Sequence, residues 1–169
     1  VASGALNQYL ERHSDRLMSR TADRPLPADR LAATEVGLVG LVSAIAGLTW
    51  LVVLVNPATA IATAVTLVLY LAVYTPLKQH SSLATAVGAI PGALPPVLGW
   101  LAAGGTLDAG ALALFGILFL WQFPHFLAIA WLYRDDYAAA GMKMLPRAAR
   151  RPGLTGMLGV IYTLALIVV

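Results

Sequence analysis

The chain has 169 residues, of which 59% are hydrophobic and only 11% charged, with no cysteine. A soluble domain usually carries about a quarter charged residues, so this composition leaves too little polar surface for a water-soluble globule. It also excludes disulfide frameworks and thiolate metal sites. The formal charge of +3 is small, and nothing in it points to nucleic acid.

In chain order, a short apolar run from Val1 to Leu10 reads as the end of a helix. Five longer apolar stretches follow: Val36 to Val55, Ala58 to Tyr74, Leu83 to Ala103, Ala109 to Tyr133 and Gly153 to Val169. Each is long enough, or nearly so, for the roughly 20 helical residues that cross a hydrocarbon core. In lipid these stretches must be helices, because open sheet edges would leave backbone groups unpaired. The expected fold is therefore all-α, a polytopic transmembrane bundle with about five full spans and part of a sixth. It forms one domain over residues 1–169. The chain opens on Val1 and runs apolar to Val169, so it reads as an internal piece of a longer protein.

Asn56-Pro57 and the turn at 104–108 contain no lysine or arginine, whereas segments 12–34, 75–82 and 133–152 hold five, one and five, all eleven of them. Such alternation is the signature of cytoplasmic loops. Pro91, Pro95 and Pro96 are expected to break the fourth helix, and Pro124 the fifth, where it frees the carbonyl of Leu120. Gly88 and Gly92 suit close helix contacts.

Asn7, Glu11 and Asp15 recur at four-residue steps. On a helix they fall within an arc of about 80° and span about 12 Å. Hard cations such as Mg²⁺ take oxygen ligands of this kind and share them with substrate phosphates; a solvated helix end is the plain alternative. Arg12, Arg16, Arg20 and Arg24 follow the same step on an adjacent stripe, and guanidinium forks match phosphate oxygens. The helix must stop by Asp23 or Arg24, before Pro25 and Pro27. Tyr133-Arg134-Asp135-Asp136-Tyr137 is a second acidic cluster on the same side, and Lys78 adds a cation from the middle loop. His125 lies within a span, where an ionisable residue must face the bundle interior or a cavity. It could ligate haem iron or hydrogen-bond a neighbouring helix. His13 reads as interfacial and His80 as a solvated loop residue.

These residues together resemble the UbiA-type membrane prenyltransferases, and among them the branch that farnesylates protohaem. The resemblance rests on Asn7-x3-Glu11-x3-Asp15 with Arg20-Thr21 and Arg24-Pro25-Leu26, on Tyr74-Thr75-Pro76-Leu77-Lys78, and on Gly88 to Pro96 with Gly99-Trp100. It continues through Trp121-Gln122-Phe123-Pro124-His125-Phe126 and Tyr133 to Tyr137, ending on Gly141 and Met144-Leu145-Pro146. Glu11 stands where many members have Asp, and Lys143 where many have proline before Met-Leu-Pro. The resemblance implies a nine-helix bundle of which this chain holds roughly the second to seventh helices. It implies farnesyl transfer from farnesyl diphosphate to a vinyl group of haem b, with water addition, giving haem O and diphosphate. It assigns Asn7, Glu11, Asp15, Asp135 and Asp136 to catalysis and Mg²⁺ binding, and Arg20, Arg24, Lys78 and Arg134 to the diphosphate. His125 is the haem-binding candidate, with haem b as a substrate rather than a cofactor. Further implications are a bacterial inner (plasma) membrane location with the active face cytoplasmic, mitochondria being second choice, and the downstream haem A synthase as a partner. A sister enzyme acting on a quinone or chlorin precursor is the alternative acceptor reading. A transporter is the rival class, which an inverted repeat would mark; the sequence contains none that we find.

Overall fold

The computed structural model describes residues 1–81, 83–139, 141 and 152–167. Among them every regular element is helical: α1 (Ala2–Asp15), α2 (Ala33–Leu54), α3 (Pro57–Val68), a π-helical turn (Leu69–Tyr74), α4 (Thr75–His80), α5 (Ala84–Ala93), α6 (Pro95–Ala102), α7 (Ala109–Leu132), α8 (Arg134–Ala139) and α9 (Pro152–Ala165). Four helical stretches are long and apolar enough to cross a bilayer: Ala33–Leu54, Pro57–His80, Ala84–Ala102 and Ala109–Leu132. The fifth expected stretch forms the shorter apolar helix α9. Leucine, isoleucine and valine side chains of α2 lie exposed along most of its length, among them Leu38, Val42, Ile45 and Val53. A helix apolar on its outside belongs in lipid. The protein is an all-helical membrane protein.

Local sequence sets the helix ends. The side chain of Asn56 accepts from the Thr59 amide at 2.8 Å, with Pro57 in the first turn of α3. Asp108 accepts from the amides of Gly110 and Ala111 at 3.0 and 3.1 Å, opening α7. These caps satisfy amides that a helix start leaves unpaired. Asn56 also donates through Nδ2 to the Leu101 carbonyl at 2.9 Å, tying the start of α3 to the last turn of α6. Val97, Leu101 and Ala111 pack beneath them.

The prolines behave in two ways. Pro95 and Pro96 divide the Ala84–Ala102 span at Leu94 into α5 and α6, as the sequence predicts, whereas Pro91 sits inside α5 without ending it. Pro124 does not end its helix, and α7 runs unbroken from Ala109 to Leu132. One missing amide hydrogen bond in a 24-residue helix held by α5, α6 and α9 is tolerated. Two adjacent prolines remove two bonds in succession and are not.

Helix α1 packs on α2, and α5 and α9 pack on α7. Gly88 faces the ring of Tyr74 so closely that a Cβ there would come within 2.3 Å of it, and one on Gly92 would lie 2.3 Å from Gln122 Oε1. The two glycines therefore admit a tyrosine and a glutamine between helices, the close approach their positions predict.

Candidate active site at the charged end of the bundle

Helix α1 ends at Asp15, well before the limit set by Pro25. The chain then descends through short turns, with the amides of Leu17, Thr21 and Arg24 bonding the carbonyls of Ser14, Met18 and Thr21. Met18, Thr21 and Leu26 are buried in this segment, and the Thr21 hydroxyl donates to the Asp15 carbonyl at 2.8 Å. The four arginines consequently do not form one helical stripe. Arg12 folds onto Tyr9 of its own helix, and Arg16 pairs with Asp29. Arg24 instead turns back to Asp15, and Arg20 reaches Tyr133 and Tyr137.

Asn7, Glu11 and Asp15 do share one face, and all three are buried, Asp15 to 1% exposure. Each has partners on another segment. Lys78 of α4 lies 3.1 Å from Glu11 Oε1 and donates to Oε2 at 3.2 Å. Asn7 Nδ2 donates to Glu11 Oε2 at 2.7 Å, while Asn7 Oδ1 is 3.0 Å from the Thr75 hydroxyl. Arg24 Nη1 donates to Asp15 Oδ2 at 2.9 Å. Gln79 donates to the Ser14 hydroxyl at 2.9 Å. Residues 75, 78 and 79 thus register against 7, 11 and 14, joining α4 to α1 by polar pairs. Buried charges are tolerated when paired and hydrogen-bonded in this way.

The second acidic cluster is arranged differently. Asp135 is exposed and lies 3.7 Å from Arg134, which also covers the Trp131 ring. Asp136 accepts from the Ser19 hydroxyl at 2.8 Å. Arg20 Nη2 donates to the Tyr137 hydroxyl at 3.2 Å, with its guanidinium over the rings of Tyr133 and Tyr137. Ser19 and Arg20 therefore join the first cluster's loop to α8. All nine sequence-predicted acidic, amide and basic residues lie at this one end. Met144-Leu145-Pro146 and Lys143 lie outside the described residues.

Below Lys78 a cavity of about 780 Å³ runs between α2, α3, α5 and the π turn, lined by Tyr70, Tyr74, Leu48, Leu51, Pro91 and Phe126 among others. Its volume is that of a small-molecule site, and its walls are mostly apolar, with Ser43, Thr63, Thr66 and Lys78 among the polar lining residues. Lys78 borders the cavity and the carboxylate row alike, with Nζ 4.5 Å from the Tyr74 ring centre.

His125 departs from expectation. It is exposed on α7, stacked on Trp121, which is exposed too, at 5.2 Å and 17°, and does not line the cavity. The buried polar residue of that motif is Gln122, which donates to the Ala89 carbonyl at 2.8 Å. Residues 121, 125 and 128 lie together on the exposed face of α7; Gln122 is about 60° round from His125, at the edge that α5 covers. Thr75 and Gln122 are the polar residues that sequence reasoning passed over. A hydroxyl next to the start of the Tyr74-to-Lys78 motif was the available signal for the first, and a lone amide deep in an apolar span for the second.

Two carboxylates and an amide oxygen along one wall are hard oxygen donors and fit Mg²⁺, which takes few protein ligands and completes its shell with phosphates and water. Among the described residues, no three histidine or carboxylate side chains converge to hold a metal ion by themselves.

This end of the bundle thus combines a buried anionic row, cations beside it and an apolar cavity beneath. The profile of the UbiA prenyltransferase family matches residues 1–169, and the chain belongs to that family. Within it, the chain is 54% identical over 144 residues to the protoheme IX farnesyltransferase of Anaeromyxobacter sp. (strain Fw109-5), covering 85% of this chain and 48% of that protein. It is 50% identical over 169 residues to the protoheme IX farnesyltransferase of Solibacter usitatus, covering 99% and 58%. The protein of that name from Koribacter versatilis is 49% identical over 160 residues, covering 95% and 52%. The chain spans about half the length of these curated relatives. No solved structure matches it significantly.

Proposed function

We propose that this chain carries the diphosphate-binding and prenyl-binding parts of an enzyme that transfers a farnesyl group from farnesyl diphosphate to a vinyl group of haem b, giving haem O. The observation that carries this reading is the placement of Lys78, which touches both the buried carboxylate row and the head of the apolar cavity. A diphosphate at the row puts its prenyl tail in the cavity. The names of the relatives support haem as the acceptor.

In this reading Lys78, Arg24, Arg20 and Arg134 hold the diphosphate oxygens. Their positive charge stabilises the negative charge that builds up as the allylic C–O bond breaks and its electron pair leaves with diphosphate. Asn7, Glu11, Asp15, Asp135 and Asp136 are the oxygen donors that would hold Mg²⁺. When bound, that ion supplies further neutralisation of the leaving group. Tyr70, Tyr74 and the aliphatic cavity wall keep water from the allylic carbon until the vinyl π electrons form the new C–C bond. Water then adds at the carbon next to the porphyrin and loses a proton, which gives the hydroxyethylfarnesyl side chain. The exposed stack of His125 on Trp121 offers a flat aromatic face and a ring nitrogen to the haem. The enzyme works in a bacterial plasma membrane with the charged end cytoplasmic, and hands its product to a haem A synthase.

The test is to supply the purified protein with haem b, farnesyl diphosphate and Mg²⁺ and to identify the product by mass. Farnesylated haem is expected, with equimolar diphosphate. Prenylation of a quinone or chlorin precursor in place of haem would replace the acceptor and keep the site; no diphosphate release with any acceptor would refute the reading.

A further inference from the structure

Thr75 stands at a junction. It follows the π turn, begins α4, and is buried against α1 at 5% exposure. Its Oγ1 lies 3.0 Å from Asn7 Oδ1 and 2.9 Å from the Tyr70 carbonyl. A hydroxyl has one proton and can donate to only one of these at a time. The Tyr70 carbonyl already accepts the Thr75 backbone amide, which closes the π turn. Asn7 Oδ1 has no other donor among the described residues, so the proton is worth more there.

Together with the Glu11 carboxylate, that bond sets how the Asn7 carboxamide faces. Nδ2 points to the Glu11 carboxylate at 2.7 Å and Oδ1 to Thr75. The flipped amide would set oxygen against carboxylate. An amide oxygen has two lone pairs, and Thr75 uses one.

We infer that Thr75 is a positioning residue of the active site: its hydroxyl fixes the Asn7 carboxamide so that the second lone pair of Oδ1 is held ready for a divalent cation bound with diphosphate. The inference rests on the reading of Asn7 given under the proposed function. Outer partners that orient a metal ligand typically change affinity by about 10–100-fold when removed. Thr75 also explains why a π turn precedes it, since the turn presents the hydroxyl to α1 with its own backbone already satisfied.

The experiment is a Mn²⁺ titration followed by electron paramagnetic resonance, on purified protein in detergent with inorganic diphosphate present. Thr75→Val keeps the shape and removes the proton, and Thr75→Ser keeps the proton. Thr75→Val is expected to bind Mn²⁺ about 10–100-fold more weakly, with helical circular dichroism unchanged and KM for farnesyl diphosphate raised. Thr75→Ser is expected to match the wild type. Wild-type affinity in Thr75→Val, with or without a lowered Tm, would confine Thr75 to closing the π turn and overturn the inference. If Thr75→Val fails to fold, Thr75→Cys decides in its place: its weak S–H donor predicts reduced affinity, and undiminished affinity overturns the inference. A wild-type protein that binds no Mn²⁺ alongside diphosphate refutes the metal reading itself. Tight wild-type binding that Thr75→Val does not alter removes only the role of Thr75.

Discussion

The two acidic clusters have the same chemistry in sequence and opposite states in structure. Glu11 and Asp15 are buried, each facing a cation from another segment and fixed by Asn7, Thr75 and Thr21. Asp135 is 89% exposed at its side chain, and Asp136 is held by a single serine hydroxyl. The first cluster is organised in advance. The second is tethered to it through Ser19 and Arg20 and has freedom to adjust. One rigid half and one adaptable half suit a ligand that must enter and a product that must leave.

Removing a carboxylate from the rigid half should have the largest effect. Asp15→Ala is expected to lower farnesyl transfer by at least about 10²–10³-fold, the scale of losing one strong electrostatic contact to a transition state. Membrane insertion should be unaffected, as read by fractionation beside haem analysis. Turnover near wild type would remove the first cluster from the chemistry. Lys78→Met comes next, because it leaves Glu11 buried without its cation. Breaking one partner of such a pair costs about 3–5 kcal/mol, which should appear as a markedly lower Tm in detergent as well as weaker diphosphate binding. Gly88→Ala tests the cavity head rather than the charges. Its Cβ would press on the Tyr74 ring, and overpacking of this kind costs about 1–3 kcal/mol. The ring must move for the chain to fold, so KM for farnesyl diphosphate should rise more than kcat falls. The smallest effect belongs to the adaptable half. Ser19→Ala removes an exposed hydrogen bond worth about 1 kcal/mol or less, and should leave Tm within about a degree or two of wild type. If Ser19→Ala were as damaging as Lys78→Met, the contrast between the halves would be false.

The spans and the break at Pro95-Pro96 were legible because lipid permits so few backbone solutions. The row of Asn7, Glu11 and Asp15 was legible because its four-residue step matches a helix that does form. The neighbouring arginine stripe had the same step and failed, since periodicity is evidence of a shared face only where the chain is helical. Met18 and Leu26 bury themselves in the turns after Asp15, and tertiary burial of that kind leaves no period to read. The pairing of Arg20 with Tyr137 joins residues 117 apart, beyond any local pattern. At 121–126 the sequence pointed His125 inward, but it lies exposed with Trp121 while Gln122, about 60° round the helix, is the residue that α5 buries.

The π turn at Leu69–Tyr74 also sets the phase between two halves of one membrane span. Such a turn accommodates about one residue more than an α-helix would, and one residue is about 100° of rotation. The half that lines the cavity with Thr63, Thr66 and Leu67 is thereby geared separately from the half that presents Thr75 and Lys78 to α1. Deleting a single residue from the turn would straighten the helix and swing one half's contacts out of mesh, although no side chain of either site had changed. The span is two short helices joined with an offset, one turned to the cavity and the other to α1.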